Sequence, residues 1–221
     1  MLFDLRGRGR RRTVQAVYLG LALVLALGLV LFGVGAGNGF GGLLNAFSGN
    51  GSGSNQSAVV SQAEKTALKQ IKAAPNSPAA WSALVQARWT SASQGANFNA
   101  TTNQFTASGK KKLAQTAQAW QKYVTLTKSP DPNLAVLAAL AYAAEGNYAG
   151  EATAWEAQTV ANPNQVKGFE CLAVSAYAAK QTRKGDLAMA KALTLVPKAQ
   201  RALLTTQIQQ AKKQPAIAQQ C

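Results

Sequence analysis

Residues 14–34 are apolar at every position except Gln15, and the run ends in small residues. A helix of that length is about 30 Å long, the thickness of a bilayer's hydrocarbon core. The pattern predicts a transmembrane signal-anchor over 14–36. Residues 37–57 are rich in Gly, Asn and Ser, with Phe40, Leu43, Leu44 and Phe47 as the apolar points, and read as a flexible linker. From residue 58 the apolar positions take a helical period. Val59, Val60, Ala63, Ala67, Leu68 and Ile71 predict a helix ending before Pro75, with Ser61 and Glu64 capping it or lying within it. Trp81, Leu84, Val85 and Trp89 predict the next helix, and Leu113, Ala117, Trp120 and Tyr123 its partner. Between them, 91–109 is an insertion of polar and small residues around Phe98 and Phe105, expected as a short β-ribbon or ordered loop, or else a mobile one. Ala202, Leu203, Leu204 and Ile208 predict a terminal covering helix over 198–213, and 214–221 reads as a frayed tail.

The middle of the chain repeats. Leu137-Ala138-Ala139-Leu140-Ala141-Tyr142-Ala143-Ala144 returns 35 residues later as Leu172-Ala173-Val174-Ser175-Ala176-Tyr177-Ala178-Ala179. The pattern Ala-x-Ala-Trp stands at Ala117 to Trp120 and again at Ala152 to Trp155. Pro130, Pro163 and Pro197 close the units at spacings of 33 and 34. Such periods mark a helical array, in which each unit covers its neighbour, rather than one closed core.

That period, the small residue before an aromatic, Gly146-Asn147-Tyr148 in mid-repeat and the closing Pro163-Asn164 resemble the tetratricopeptide repeat over roughly 75–200. The resemblance implies an all-α, membrane-anchored protein of bacterial cell-envelope type. Its head, 58–213, would be a solenoid of about three helical hairpins with a C-terminal capping helix. It also implies a concave groove, lined by the first helix of each repeat, for an extended peptide or a partner helix. Carried over on the Tyr142/Tyr177 alignment, the groove positions are Asn133, Val136, Leu140 and Ala143, then Gly168, Cys171, Ser175 and Ala178. The family's carboxylate clamp uses Lys, Arg and Asn there. This chain instead has small and apolar residues, so an apolar segment of another envelope protein is the expected ligand; alternatively these are packing positions only.

Charge refines the topology. The chain has 23 Lys and Arg against 8 Asp and Glu, a net +15. Arg6, Arg8, Arg10, Arg11 and Arg12 precede the apolar run, and no charge follows it until Glu64, so the basic segment 1–13 is expected in the cytoplasm and the head outside it. A cleaved signal peptide, cut near Val34-Gly35-Ala36, is the competing expectation; its apolar core would exceed the usual length of about 7–15 residues. Gly33 and Gly37 stand four apart, as a dimerisation face or simply the start of the linker. The basic head supports a second functional class, a module for anionic wall polymer, lipid head groups or, last, nucleic acid.

Catalytic chemistry finds little material. There is no histidine, which removes the commonest general base and zinc ligand. Ser108-Gly109-Lys110-Lys111 fits S-x-x-K, but the accompanying S-x-N and K-T-G elements are missing, and a capped helix start beside a basic run accounts for it. Glu145, Glu151, Glu156 and Glu170 read as surface carboxylates. No enzyme activity, cofactor or metal is expected. Asn99-Ala100-Thr101 matches a glycosylation acceptor. Cys171 and Cys221 allow one disulfide, since an extended tail from Ile208 reaches roughly 40 Å; the alternative is a buried Cys171 with a free terminal thiol.

Overall fold

A computed structural model describes the chain from residue 53 onward. The expected anchor and nearly all of the linker lie outside the described residues. Among the described residues no helix is long and apolar enough to cross a membrane.

The described chain is mostly helical: α1 Gly53–Ala73, α2 Pro78–Ala92, α3 Ala107–Leu126, α4 Pro132–Ala144, α5 Tyr148–Ala161, α6 Val166–Ala178, α7 Thr182–Leu195 and α8 Lys198–Gln210. α1 thus begins within the stretch read as linker, and Ser61 and Glu64 lie inside it. Several starts are written locally. Ser77, Thr106, Asp131 and Asn147 each accept a hydrogen bond from a backbone N–H of the first turn they cap, and Pro78 and Pro132 occupy first-turn positions where a missing N–H costs nothing. The S-x-x-K residues fall in the first turn of α3, behind the Thr106 cap.

Each helix from α1 to α7 packs chiefly on its neighbours in sequence, the repeat-like arrangement expected of stacked hairpins. Alanine makes the close approach possible: Ala135, Ala138, Ala139, Ala152, Ala154, Ala173 and Ala176 are fully buried. Tyr142, Trp155 and Tyr177, also buried, fill the wider gaps. Two contacts repeat with the sequence. The ring of Tyr142 lies where a Cβ on Gly150 would stand, 2.6 Å away, and the ring of Tyr177 lies likewise against Gly185, at 2.5 Å. α1 is tied in by Glu64, whose carboxylate meets Arg88 of α2 at 3.2 Å and Lys112 of α3 at 2.7 Å. Burial raises the pKa of this carboxyl, but the two cations outweigh it and hold it below the ordinary range.

The insertion is ordered. A 3-10 turn, Gly95–Asn97, leads into a ribbon pairing Phe98 with Phe105 and Asn99 with Gln104. Phe98 and Phe105 meet edge to face at 5.2 Å, and Phe105 leans on Trp89 of α2 at 6.2 Å. Those aromatics pin the ribbon to the stack. Asn99 is exposed, and its side-chain oxygen accepts from the N–H groups of Thr101 and Thr102.

Two readings are corrected. The stretch 214–221 is not frayed: Pro215–Gln220 forms a 3-10 helix packed on α6 and α4, Ala218 is fully buried, and Cys221 is bonded to Cys171. A tertiary bond between residues 50 apart leaves no local signal in the tail. Closing a loop of that size removes unfolded-chain entropy, typically worth about 2–4 kcal/mol. Glu151 is not a surface carboxylate either; it is wholly buried, because its helix faces a neighbour on both sides.

Candidate functional site

Helix α6 has two working faces. Lys167, Glu170, Cys171 and Val174 follow i, i+3, i+4, i+7 spacing and line one side together with Ile217 and Cys221 of the C-terminal segment. Phe169 and Leu172 point the other way, into an open groove of about 700 Å³ between α5, α6 and α7. The wall of that groove is mostly apolar. Val160 from the end of α5 is 78% exposed and Leu187 of α7 is 65% exposed, while Ala188 closes the floor. Its rim is polar and charged: Gln181, Thr182, Arg183, and a Glu156–Lys184 pair at 2.6 Å. The ammonium of Lys191 stands 5.8 Å from the Phe169 ring centre, a cation over an aromatic face. Two large, exposed side chains converging on half-buried Phe169 and buried Leu172 make a surface that loses little on accepting an apolar partner and gains the burial.

The eight groove positions carried over from the repeat alignment do not come together around this opening. Asn133 is exposed; Val136 and Leu140 are half-buried on α4; Ala143 is buried. On α6, Gly168, Cys171, Ser175 and Ala178 are all buried. Gly168 gives way to α5, since a Cβ there would meet the side chains of Gln158 and Thr159. The amide of Gln158 in turn donates to Gln165. Ser175 is satisfied within its own helix, its hydroxyl donating to the Cys171 carbonyl at 2.7 Å. Cys171 is held by Cys221.

The open groove is built from residues the alignment passes over. Its signal lies in the helical period: the buried stripe of α7 runs Gly185, Ala188, Ala192, and Leu187 falls off it. A leucine or valine off the buried stripe of a short helix either packs on something outside the repeat or is exposed.

Ionisable groups nearby split into two kinds. At the groove, Glu156 and Lys184 pair at the surface. One layer in, Glu151 has no hydrogen-bond partner on either oxygen, and the indole N–H of Trp155 one turn on has none either. Burial pushes the Glu151 carboxyl up to about 8, and the nearby Trp155 ring offsets only part of that. Among the described residues no group of three His, Cys, Asp or Glu could hold a metal ion. No family model, curated protein or solved structure matches the chain.

Proposed function

We propose that the chain is a membrane-tethered, non-catalytic scaffold of tetratricopeptide type, displayed outside the cytoplasm, that holds another envelope protein by an apolar segment laid into the α5–α6–α7 groove. A chaperone or translocon accessory is the narrower form of the same reading. The observation that carries it is the pairing of Val160 and Leu187, large and exposed, with Phe169 and Leu172 across one groove. Stacked hairpins, the apolar run at 14–34 and the arginines before it support the tether and the topology.

The competing function is electrostatic. Setting aside residues 1–13, the chain keeps eighteen Lys and Arg against seven Asp and Glu, and Arg183, Lys184 and Lys191 stand about the same groove. Wall polymer or anionic lipid would bind by those cations, and binding would fall steeply with salt as screening shortens to about 8 Å at physiological ionic strength.

A photo-reactive side chain at position 187, in native membranes, is expected to crosslink a protein partner. Val160→Asp with Leu187→Asp should lower capture of that partner at least tenfold while the far-ultraviolet helical signal is unchanged, with little dependence on salt. Full capture by the folded double variant overturns the groove. Loss of capture between low and high salt in the unmodified chain moves the function to its cations.

A further inference from the structure

On the other side of α6 the chain covers its own surface. After α8 it turns back, and Pro215–Gln220 lies over α6 and reaches α4. Ala218 is fully buried and Ile217 packs on the core beneath. Exposed Lys167, half-buried Glu170 and buried Val174 of α6 line the crevice beside that segment, with Cys171 bonded to Cys221 at a Cα–Cα distance of 5.5 Å. Among the described residues, no side-chain hydrogen bond or ion pair joins 215–221 to the rest of the domain, and its own backbone bonds are local, Ile217 N–H to Gln214 and Cys221 N–H to Ala218. One alanine, one isoleucine and one covalent bond therefore hold a segment without charged side chains on a face made by two consecutive first helices.

We propose that 215–221 is a releasable strap over a second segment-binding face, on α4 and α6, and that thiol–disulfide exchange with a dithiol reductant opens it. The direction of attack follows from burial. Cys171 is inaccessible, whereas Cys221 is half-exposed at the end of the strap. A thiolate of the reductant bonds to Sγ of Cys221; the Cys171–Cys221 bond breaks, and its electron pair leaves on Sγ of Cys171, which takes up a proton. The reductant's second thiol then displaces Cys221, leaving two protein thiols and an oxidised reductant. Freed of the strap, α6 presents Cys171 and Val174, a face sized for a short, uncharged segment of small apolar residues in trans, chemically like Pro215-Ala216-Ile217-Ala218.

The full chain in detergent, followed by hydrogen exchange with and without dithiothreitol, tests the strap. Reduction should speed exchange at 217–221 at least tenfold, leave α4 and α6 protected, and make Cys221 alkylate before Cys171. Binding is read with a labelled peptide of residues 214–221 carrying Ser for Cys. The full-length triple variant Ile217→Asp, Ala218→Asp, Cys221→Ser should bind it saturably, and the oxidised chain should bind at least tenfold more weakly. Unchanged exchange at 217–221 after reduction overturns the release. Loss of protection throughout α4 and α6 makes the bond a structural staple and overturns it equally. Absence of saturable binding to the triple variant, its helical signal intact, removes the second face; if that variant unfolds, peptide binding by the reduced unmodified chain decides.

Discussion

Two junctions of the stack occupy equivalent places 35 residues apart, and only one is open. Between α3, α4 and α5 a crevice of about 360 Å³ is lined by Trp120, Gln121, Val124, Tyr142, Asn147 and Gly150. Between α5, α6 and α7 the same helix ends frame the groove of about 700 Å³. The scaffold contact is common to both, Tyr142 on Gly150 and Tyr177 on Gly185. What differs is the filling. Ala152 is fully buried at the upper junction, where the lower has exposed Leu187; Thr125 stands where the lower has exposed Val160; half-buried Tyr148 stands where the lower has Arg183. A repeat contributes packing where it matches its neighbours, and offers a surface where it departs from them. The departures gather at the last full hairpin.

The sharpest difference lies at one position of the repeat, the residue after Gln115, Gly150 and Gly185. Thr116, Glu151 and Asp186 are equivalent by the same period. Thr116 is buried and satisfied by the Lys112 carbonyl at 2.9 Å. Glu151 is buried and unsatisfied. Asp186, at the open end, accepts from the Tyr177 hydroxyl at 2.6 Å and pairs with Lys212 at 3.5 Å. Tyr177's hydrogen bond, with Lys212 beside it, holds Asp186 below its ordinary range, while burial and that carboxylate push the Tyr177 phenol up. The two carboxyls therefore have opposite signs in pH. Unfolded, Glu151 ionises near 4.5; folded, near 8, so above 4.5 the unfolded state holds fewer protons and stability falls as pH rises through that window. The loss at pH 7 is on the order of 3 kcal/mol. Glu151→Gln should remove that decline, with its largest gain at and above pH 7. Asp186→Asn should act the other way, deleting a contribution present at neutral pH and lost as pH falls through the depressed folded value. Denaturant unfolding from pH 2 to 9 measures both, and parallel pH profiles for the two variants would dissolve the distinction.

The shared contact is expected to respond alike at both junctions. Gly150→Ala and Gly185→Ala each drive a Cβ into a tyrosine ring, and overpacking of this kind costs about 1–3 kcal/mol. Because α7 packs chiefly on α6, with lighter cover from α8, it can shift more readily than α5, which is packed on both sides, so Gly185→Ala should fall at the lower end. Urea unfolding of the two variants measures it; a larger loss at Gly185 would mean the open junction is the more rigid one.

Much of this architecture was legible from residues alone, and the division is physical. Helix periods, caps and the 35-residue recurrence are local or periodic, and the hairpins, Tyr142, Trp155 and Tyr177 in the gaps, and the ribbon at Phe98 and Phe105 follow from them. Contacts that depend on what a helix meets across the stack are not local. Glu151 is charged, and its neighbours Ala149, Gly150 and Ala152 are too small to mark which face is covered, so nothing near it announces burial. The tail carries no periodic signal, and its place on α6 is set by the bond to Cys171. Aligning first helices by their tyrosines located α4 and α6 correctly, yet five of the eight positions assigned to a ligand are buried, Gly168 against α5 and Cys171 against the chain's own C-terminus.

The smallest difference between the junctions is one of backbone. The turn after α4 closes with Gly146 at φ 70°, and the Asn147 N–H returns to the Tyr142 carbonyl at 2.9 Å. The turn after α6 closes one residue earlier relative to its tyrosine, with Lys180 at φ 62° and the Gln181 N–H returning to Ala176 at 2.8 Å. Both are left-handed closures of a helix C-terminus, a conformation that suits glycine and crowds the Cβ of any other residue. Nothing lies within 4 Å of a Cβ built on Gly146, so substitution there costs backbone strain alone. Gly146→Ala should therefore destabilise by about 1 kcal/mol, and Lys180→Gly should stabilise by somewhat less, since the unfolded chain gains freedom with the new glycine. Thermal unfolding should move in opposite directions by a few degrees, which for about 1 kcal/mol in a domain of this size is the expected scale. A Lys180→Gly chain no more stable than the original would show that the closure after α6 is relaxed as it stands.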